Sequence, residues 1–310
     1  MGDTNDVINI KTQKRKSTKE RKKSISFTAV TAVAAVIMAI HCLLIIFVYM
    51  YGINASLRWN GRYFMENPNA LAFLKDNILG IFEPRFKNYI FAFEKLQETN
   101  YSYFFMLFNS IWYSIGGTMI TLIVASCSTY VIAKYKNAYT KTIFNICLFT
   151  MIFPVVGAAP SLYKLYYSLG IAQTPFILLS GFNCLCNRIM YAYFSSLSWT
   201  YAEAAFIDGA SDFQVFYKIM LPMAIPSISV LFVSGVIGMW NDYSTPMLYL
   251  DESYPTLASG LFTYEKLMQY DANQPVYFAG VVLAMIPPII LYSAMQETIM
   301  TKVYFGGLKG

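Results

Sequence analysis

The stretch "ISFTAVTAVAAVIMAIHCLLIIFVYMY", residues 25–51, contains no Asp, Glu, Lys or Arg. A helix that crosses a bilayer needs about 20 mainly apolar residues, and this stretch exceeds that length. It is too long for the core of a signal peptide, and no small-residue cleavage site follows it. We therefore interpret residues 25–51 as an uncleaved membrane anchor.

The composition predicts that the chain crosses the membrane several times. Of its 310 residues 56% are hydrophobic and 13% charged, whereas about 25% are charged in a typical soluble domain. Five further apolar stretches follow the first, so the predicted fold class is an all-α integral membrane protein with six transmembrane helices. The predicted spans are 25–51, 104–133, 142–165, 174–195, 223–243 and 276–299. Prolines in the last four spans favour a helix bundle around a pathway, because neighbouring helices or water must satisfy the backbone groups that proline frees.

The distribution of basic residues predicts the orientation. The chain has a net charge of +6, and eight of its 23 Lys and Arg residues lie in the tail 1–24. A basic run just before an apolar span is typical of a membrane protein with that end in the cytoplasm, so the positive charge does not indicate nucleic-acid binding. With the N-terminus inside, the cytoplasmic segments contain 14 Lys and Arg and the outer segments contain 7. The cytoplasmic segments are then 1–24, 134–141, 196–222 and 300–310, and the outer ones are 52–103, 166–173 and 244–275. Both termini are thus expected in the cytoplasm.

An amphipathic stretch, "YAEAAFIDGASDFQVFYKIMLPMAIP" (residues 201–226), separates the fourth and fifth spans. Thr200 and Glu203 have the spacing of a capping box, which predicts a helix from about Tyr201. Asp208-Gly209 predicts the turn that ends it. We therefore expect a short helix and a sharp bend on the cytoplasmic surface.

A second short helix is predicted after the bend. Ser211 and Gln214 form a second capping-box pattern. Phe213, Phe216, Tyr217 and Met220 are expected near one face of this helix, and Pro222 suits the first turn of the next one. On spacing alone, residues 200–222 could equally be an interfacial connection between two spans.

The pattern E-A-A-x-x-D-G-A, followed by Phe and by Leu-Pro, resembles the cytoplasmic loop signature of binding-protein-dependent ABC transporter permeases. Its positions here are Glu203, Ala204, Ala205, Asp208, Gly209, Ala210, Phe216, Leu221 and Pro222. Three more stretches are similar to the sugar-importer branch and to the second permease subunit of the maltose system. They are "MIFPVVGAAPSLYKLYYSLGI" (151–171), "WNDY" (240–243) and "GGLKG" (306–310). The resemblance covers about 104–310, whereas residues 1–103 match only in having a basic tail and one span.

The resemblance implies a core permease domain, 104–310, behind the tail 1–24, the first span and an extracytoplasmic loop, 52–103. It implies that the loop 200–222 docks as a coupling helix in a cleft of an ATPase subunit, through Glu203, Ala204, Asp208 and Gly209. The implied partners are a second permease, two ATPase subunits, an extracytoplasmic solute-binding protein and a sugar. Where the family often has a proline and extra acidic residues, this chain has "SLSWTY", which puts the fit to the ATPase in doubt. Glu203 can serve as a capping residue, as a charge for a basic partner, or as both.

The chain shows no site for chemistry of its own. It has no G-x-x-x-x-G-K-[ST] phosphate loop, and its single histidine, His41, lies inside the first span. Its five cysteines lie in apolar runs and lack metal-ligand spacing. We expect no metal, no cofactor and no catalytic residue, so that ATP hydrolysis would come from separate subunits.

Polar or aromatic residues near or within the predicted spans are candidates for the substrate pathway. They are Asn183, Asn187, Trp240, Asn241 and Asp242. Hydrogen bonding between helices explains Asn183 and Asn187 equally well. The main alternative function is a secondary carrier or channel, which should show buried acidic relays in its spans. A polytopic membrane enzyme is a third class, which should show a cluster of His or carboxylates at one depth.

Overall fold

A computed structural model describes residues 31–58, 84–98, 102–152, 157–180, 184–250, 254–271 and 273–306. These residues form helices and connections, with no strand among them. The chain divides into two units, residues 1–55 and 56–310. The described part of the first unit is the helix α1 (Thr31–Ser56), which reaches one residue into the second unit and whose side chains are exposed along its apolar length. Residues 25–30 of the predicted anchor lie outside the described residues.

The second unit contains eleven further α-helical segments within the described residues. In chain order they are α2 (Lys87–Glu98), α3 (Tyr103–Ile111), α4 (Gly117–Lys134), α5 (Ala138–Ile152), α6 (Ala158–Ser168), α7 (Cys184–Ser196), α8 (Thr200–Ile207), α9 (Asp212–Val215), α10 (Leu221–Trp240), α11 (Leu257–Asp271) and α12 (Gln274–Gly306). A π-helical turn, Trp112–Gly116, joins α3 to α4, and another, Phe216–Met220, joins α9 to α10. A 3₁₀ helix, Pro175–Ser180, precedes α7, and a third π turn, Pro246–Leu250, follows α10.

Among the described residues, four helical runs are long and apolar enough to cross a membrane, and they fall on the predicted first, second, fifth and sixth spans. They are Thr31–Ser56, Tyr103–Lys134, Asp212–Trp240 and Gln274–Gln296. The predicted third span is described as two helices, α5 and α6. Gly157, which precedes α6, has a φ of +78°, a conformation that a continuing helix does not allow. The predicted fourth span is likewise described in two pieces, the 3₁₀ helix that opens at Pro175 and the helix α7.

The helices of the second unit approach closely where a glycine on one helix faces a side chain of another. A Cβ atom on Gly235 of α10 would lie 2.7 Å from Thr118 Cγ2 of α4. A Cβ atom on Gly260 of α11 would lie 2.6 Å from Met106 Sδ of α3. Small residues allow such approach between membrane helices, whose association depends on van der Waals packing. These contacts fix α10 against α4 and α11 against α3.

Polar side chains join the helices at other points. Asn109 Nδ2 donates to Pro255 O at 3.0 Å, and Leu257 N donates to Ser110 Oγ at 2.8 Å. Trp240 Nε1 donates to Ala284 O at 3.2 Å, which connects α10 to α12. In a membrane these bonds satisfy groups that lipid cannot.

Candidate functional site

The helix α8 begins differently from the prediction. Its N-cap is Trp199, no side chain caps it, and Thr200 is already helical. Ser198 Oγ accepts a hydrogen bond from Thr200 N at 3.3 Å instead. The capping box of Thr200 and Glu203 is therefore wrong, because the helix starts one residue too early for Thr200 to be its cap. Glu203 is exposed in the first turn, where its carboxylate interacts favourably with the positive end of the helix dipole.

The predicted turn at Asp208-Gly209 is confirmed. Gly209 has a φ of +81°, Gly209 N donates to Phe206 O at 3.0 Å, and Ala210 N donates to Ala205 O at 2.9 Å. This pair of bonds is the Schellman motif, which needs a left-handed residue just after the helix. Glycine at 209 is therefore what lets the chain reverse here.

The second capping box is confirmed, but the helix after it is not short. Ser211 N donates to Gln214 Oε1 at 2.9 Å, and Gln214 N donates to Ser211 Oγ at 3.4 Å. The helix then continues through the π turn into α10, so that residues 212–240 form one helical run. The π turn lies just before Pro222 in the chain and shifts the hydrogen-bond register of the helix. This shift accommodates proline's lack of an N–H group, so the helix does not end there. The expected second short helix is thus the N-terminal part of the helix that contains the fifth span.

The four apolar residues expected on one face lie on two. Phe213 and Tyr217 stack at 6.3 Å between ring centroids and are 72% and 60% exposed. Met220 is fully buried, and Phe216 packs inward with its ring centroid 4.8 Å from that of Tyr130. The spacing of four residues pairs 213 with 217 and 216 with 220, which separates the outer pair from the inner one.

The alanines of α8 divide in the same way. Ala202 and Ala205 are buried in the core of the second unit, whereas Ala204 is exposed. The exposed face of this region, which we call the loop surface, also contains large apolar side chains. We define it by seven of the exposed residues of this region: Tyr201, Glu203, Ala204, Ile207, Asp208, Phe213 and Tyr217. Ile207, 86% exposed, is the most exposed large apolar side chain among the described residues, and sequence reasoning missed it because it forms no part of the motif.

An aromatic cluster supports the loop surface from beneath. Tyr130 lies 5.7 Å from Phe194, and Trp199 lies 5.9 Å from Tyr135 and 6.0 Å from Phe206, measured between ring centroids. These rings come from α4, α7 and α8 and the segments that adjoin them. Aromatic pairs at such distances stabilise beyond the area they bury. The cluster therefore connects α8 to the long helices.

Two polar contacts strengthen this connection. Lys134 Nζ donates to Leu197 O at 2.6 Å and lies 5.9 Å from the centroid of the Trp199 ring. Tyr135 donates a hydrogen bond to Asp212 Oδ1. Burial raises the pKa of the Tyr135 phenol, and the bond to Asp212 raises it further. The phenol therefore stays protonated and able to donate at physiological pH.

Three of the five predicted pathway residues have described side chains, and each of the three makes its own hydrogen bonds. Trp240 is buried and bonded to α12, and Asn241 Nδ2 donates to Ile237 O of its own helix at 2.8 Å. Asp242 Oδ1 accepts from Ser244 N and Thr245 N, each at 3.0 Å, while Tyr113 donates to Oδ2 at 3.2 Å. Asn183 lies outside the described residues, as does the side chain of Asn187. Within the described part of the chain, no three His, Cys, Asp or Glu residues could hold a metal ion.

Comparison with known proteins yields a family match and several relatives. Residues 102–303 match the family described as binding-protein-dependent transport system inner membrane component. The chain is 28% identical over 227 residues to the diacetylchitobiose uptake system permease protein NgcG of Streptomyces coelicolor, covering 72% of this chain and 74% of that protein. It is 27% identical over 243 residues to the arabinooligosaccharides transport system permease protein AraQ of Halalkalibacterium halodurans, covering 76% and 85%.

The fold also matches a solved structure. A bacterial ABC transporter involved in the import of the acidic polysaccharide alginate has a chain that aligns with a TM-score of 0.66 and 24% identity. The match covers 88% of this chain and 97% of the other. At this identity the likeness supports the fold alone.

Proposed function

Because the chain belongs to the family of binding-protein-dependent transport system inner membrane components, we propose that it is the permease subunit of an ABC importer that carries an oligosaccharide. Of the two relatives above, one is named for the uptake of diacetylchitobiose and the other for the transport of arabinooligosaccharides, and these names support the substrate class. In this proposal separate ATPase subunits supply the energy. The chain works in the bacterial cell membrane, as the description of its family implies.

The proposed topology has six spans and places both termini in the cytoplasm. The charge distribution supports this orientation, with 14 Lys and Arg residues on the inner segments against 7 on the outer ones. The tail 1–24, the first span, the loop 52–103 and the core domain 104–310 keep their predicted assignments. A second permease, two ATPase subunits and an extracytoplasmic solute-binding protein complete the proposed assembly.

The exposure of the loop surface is the single observation that carries the coupling role. Apolar side chains such as Ile207 and Phe213 are exposed in the same short segment as the carboxylates of Glu203 and Asp208. An exposed apolar patch rimmed by charge is typical of a protein interaction site. We propose that it docks in a cleft of an ATPase subunit whose rim is basic, with Glu203 and Asp208 facing that rim. Gly209, Leu221 and Pro222 set the path of the chain behind it.

The underside of the loop supports the transmission step. Ala202, Ala205 and Phe216 pack against the core, so a displacement of α8 acts on α4, α7 and α10 through the aromatic cluster. We propose that closure of the ATPase dimer moves α8 and thereby switches the spans between outward- and inward-facing states. A tightly packed core transmits such a displacement because it does not deform continuously.

The proposed substrate contacts follow from the polar candidates that remain. Asn183, Asn187 and Asn241 stay candidates for hydrogen bonding to a sugar. The bonds of Trp240 to α12 and of Asp242 to Ser244 and Thr245 support a structural role for these two residues. The other permease subunit would then supply a large share of the ligand contacts.

Uptake of a radiolabelled oligosaccharide by cells that express the whole transporter tests the proposal. Ile207→Asp adds a third carboxylate, beside those of Glu203 and Asp208, to the loop surface, and loss of such a central contact costs about 2 kcal/mol or more. We expect at least about a tenfold loss of both uptake and ATPase co-purification, and little change in the matched variant Ile207→Leu. Uptake that persists when the ATPase gene is deleted would instead support a secondary carrier.

A further inference from the structure

A cavity of about 420 Å³ opens where α4 ends and α5 begins. Lys136, Asn137 and Lys141 lie on its polar side. Its volume falls in the range of sites for small organic ligands. The coupling role proposed above does not use this cavity.

The cavity lies in a part of the chain without acidic residues. No Asp or Glu occurs between Glu98 and Glu203, while five Lys and Arg residues do. They are Lys134, Lys136, Lys141, Lys164 and Arg188. Lys136 and Lys141 are exposed and form no ion pair with any residue that the structure describes. Two uncompensated ammonium groups at the mouth of one cavity favour an anion.

The donors of the cavity also suit an anion. Asn137 Oδ1 accepts from Thr140 N at 2.8 Å and so caps α5, which leaves the Asn137 Nδ2 amide as a donor. Thr140 Oγ1 donates to Tyr135 O at 2.7 Å and is occupied. Two ammonium groups and one amide NH₂, all of them donors, are thus available to a ligand, together with the Tyr191 hydroxyl, which can also donate. An ionised phosphodiester, whose oxygens only accept hydrogen bonds, matches this set.

The lining of the cavity also includes apolar side chains. Ile132, Phe144 and Tyr191 line it, and the Phe144 and Tyr191 rings lie 4.3 Å apart between centroids. A soluble phosphate has no part that would contact these side chains. A phospholipid does, because its glycerol and acyl groups lie directly below the phosphate. The combination of a basic mouth and apolar lining side chains therefore favours a lipid over a free anion.

The position of the cavity agrees with the depth of a lipid headgroup. It lies at the end of the Tyr103–Lys134 span. Tyr139, beside it in sequence, is 73% exposed, and exposed tyrosines are typical of membrane interfaces. The hydrogen bond from Lys134 to Leu197 puts this junction at the same end of the second unit as α8. We propose that the cavity binds the headgroup of an anionic phospholipid of the cytoplasmic leaflet through Lys136, Lys141 and Asn137. The leaflet assignment rests on the orientation in the proposed function.

The test measures phosphatidylglycerol bound to the whole purified transporter, by native mass spectrometry after titration with this lipid in detergent. A lysine near a membrane surface contributes about fivefold to the affinity for an anionic lipid. Lys136→Gln/Lys141→Gln should therefore weaken phosphatidylglycerol binding roughly 30-fold. Both side chains are exposed, so the variant should fold and should still co-purify with the ATPase.

The matched control is Lys22→Gln/Lys23→Gln, which removes the same charge from the basic tail and should leave the binding unchanged. Phosphatidylcholine and millimolar inorganic phosphate should not displace the bound lipid. Equal binding in the two double variants, or displacement by inorganic phosphate alone, would overturn the proposal. Equal loss of the lipid from both variants would show that binding depends on the total charge of the protein and that the cavity is not the binding site. Continued co-purification of the ATPase in either case leaves the proposed function intact.

Discussion

Tyr135, the residue that follows α4, donates a hydrogen bond to Asp212, the residue that opens α9. The two are 77 residues apart in sequence, so this bond links the ends of two long spans. It lies beside the Trp199 ring, which in turn contacts α8 through Phe206. The proposed coupling helix is thus connected to the second and fifth spans at one point.

Removing the Tyr135 hydroxyl should weaken this link with little effect on folding. Tyr135→Phe keeps the ring in the aromatic cluster and leaves Asp212 in contact with water, so the free energy of unfolding should fall by about 1 kcal/mol or less. We expect uptake to fall several-fold while ATPase co-purification stays unchanged. Tyr139→Phe is the control, because it removes the hydroxyl of an exposed tyrosine outside the cluster. Identical uptake in the two variants would show that the bond plays no part in coupling.

Gly209 should be required for its backbone conformation. Its φ of +81° costs an L-residue about 1–2 kcal/mol, and a Cβ atom there would meet no other atom within 4 Å. Gly209→Val should therefore lower uptake by shifting α8, whereas Gly209→Asn should retain more of it because Asn tolerates this conformation. Gly238→Ala is the control, since a Cβ atom there also meets nothing within 4 Å. Unchanged uptake in Gly209→Val, with assembly verified, would rule out a role for the turn.

The close contact of Gly235 with Thr118 should be sensitive to a single methyl group. Gly235→Ala places a Cβ atom 2.7 Å from Thr118 Cγ2, which should destabilise the packing of α10 on α4 by about 1–3 kcal/mol. Adding Thr118→Ala removes the clashing methyl and should restore most of the thermal stability. Failure of the second change to rescue the first would mean that the two helices do not meet at this point.

Asp242 should act as a cap rather than as a sugar contact. Asp242→Ala removes the acceptor for Ser244 N and Thr245 N and should lower stability by about 1–2 kcal/mol. Asp242→Asn keeps one side-chain oxygen and should retain much of that stability. The KM for uptake should change little in either variant. A large rise in KM at unchanged thermal stability would instead place Asp242 in the substrate pathway.

Much of the fold could be predicted from the sequence, because its signals are local. Apolar length identified four of the spans, and the Ser211–Gln214 cap and the Gly209 turn depend on residues within a few positions of each other. The family expected from the loop pattern is confirmed by the match over residues 102–303. Local signals fail where two patterns compete. Thr200 carries a cap pattern, yet the helix starts at Thr200 itself, after Trp199 in the aromatic cluster.

The site was predicted less completely, because its geometry depends on contacts between distant residues. Spacing alone placed Phe213 and Phe216 on one face, and the packing of Phe216 on Tyr130 from α4 separates them. The π turn that precedes Pro222 has no sequence signal of its own. The link from Tyr135 to Asp212 and the exposure of Ile207 likewise follow only from the three-dimensional arrangement.

The central claim, that the loop surface docks on an ATPase, is tested most directly by photocrosslinking. A benzophenone amino acid at position 207 replaces the most exposed large apolar side chain of the described residues, and one at position 290, on the exposed side of α12, serves as the control. In the whole transporter, position 207 should crosslink to the ATPase subunit and position 290 should not. Absence of an ATPase crosslink from 207, in a transporter that still imports its sugar, would contradict the account.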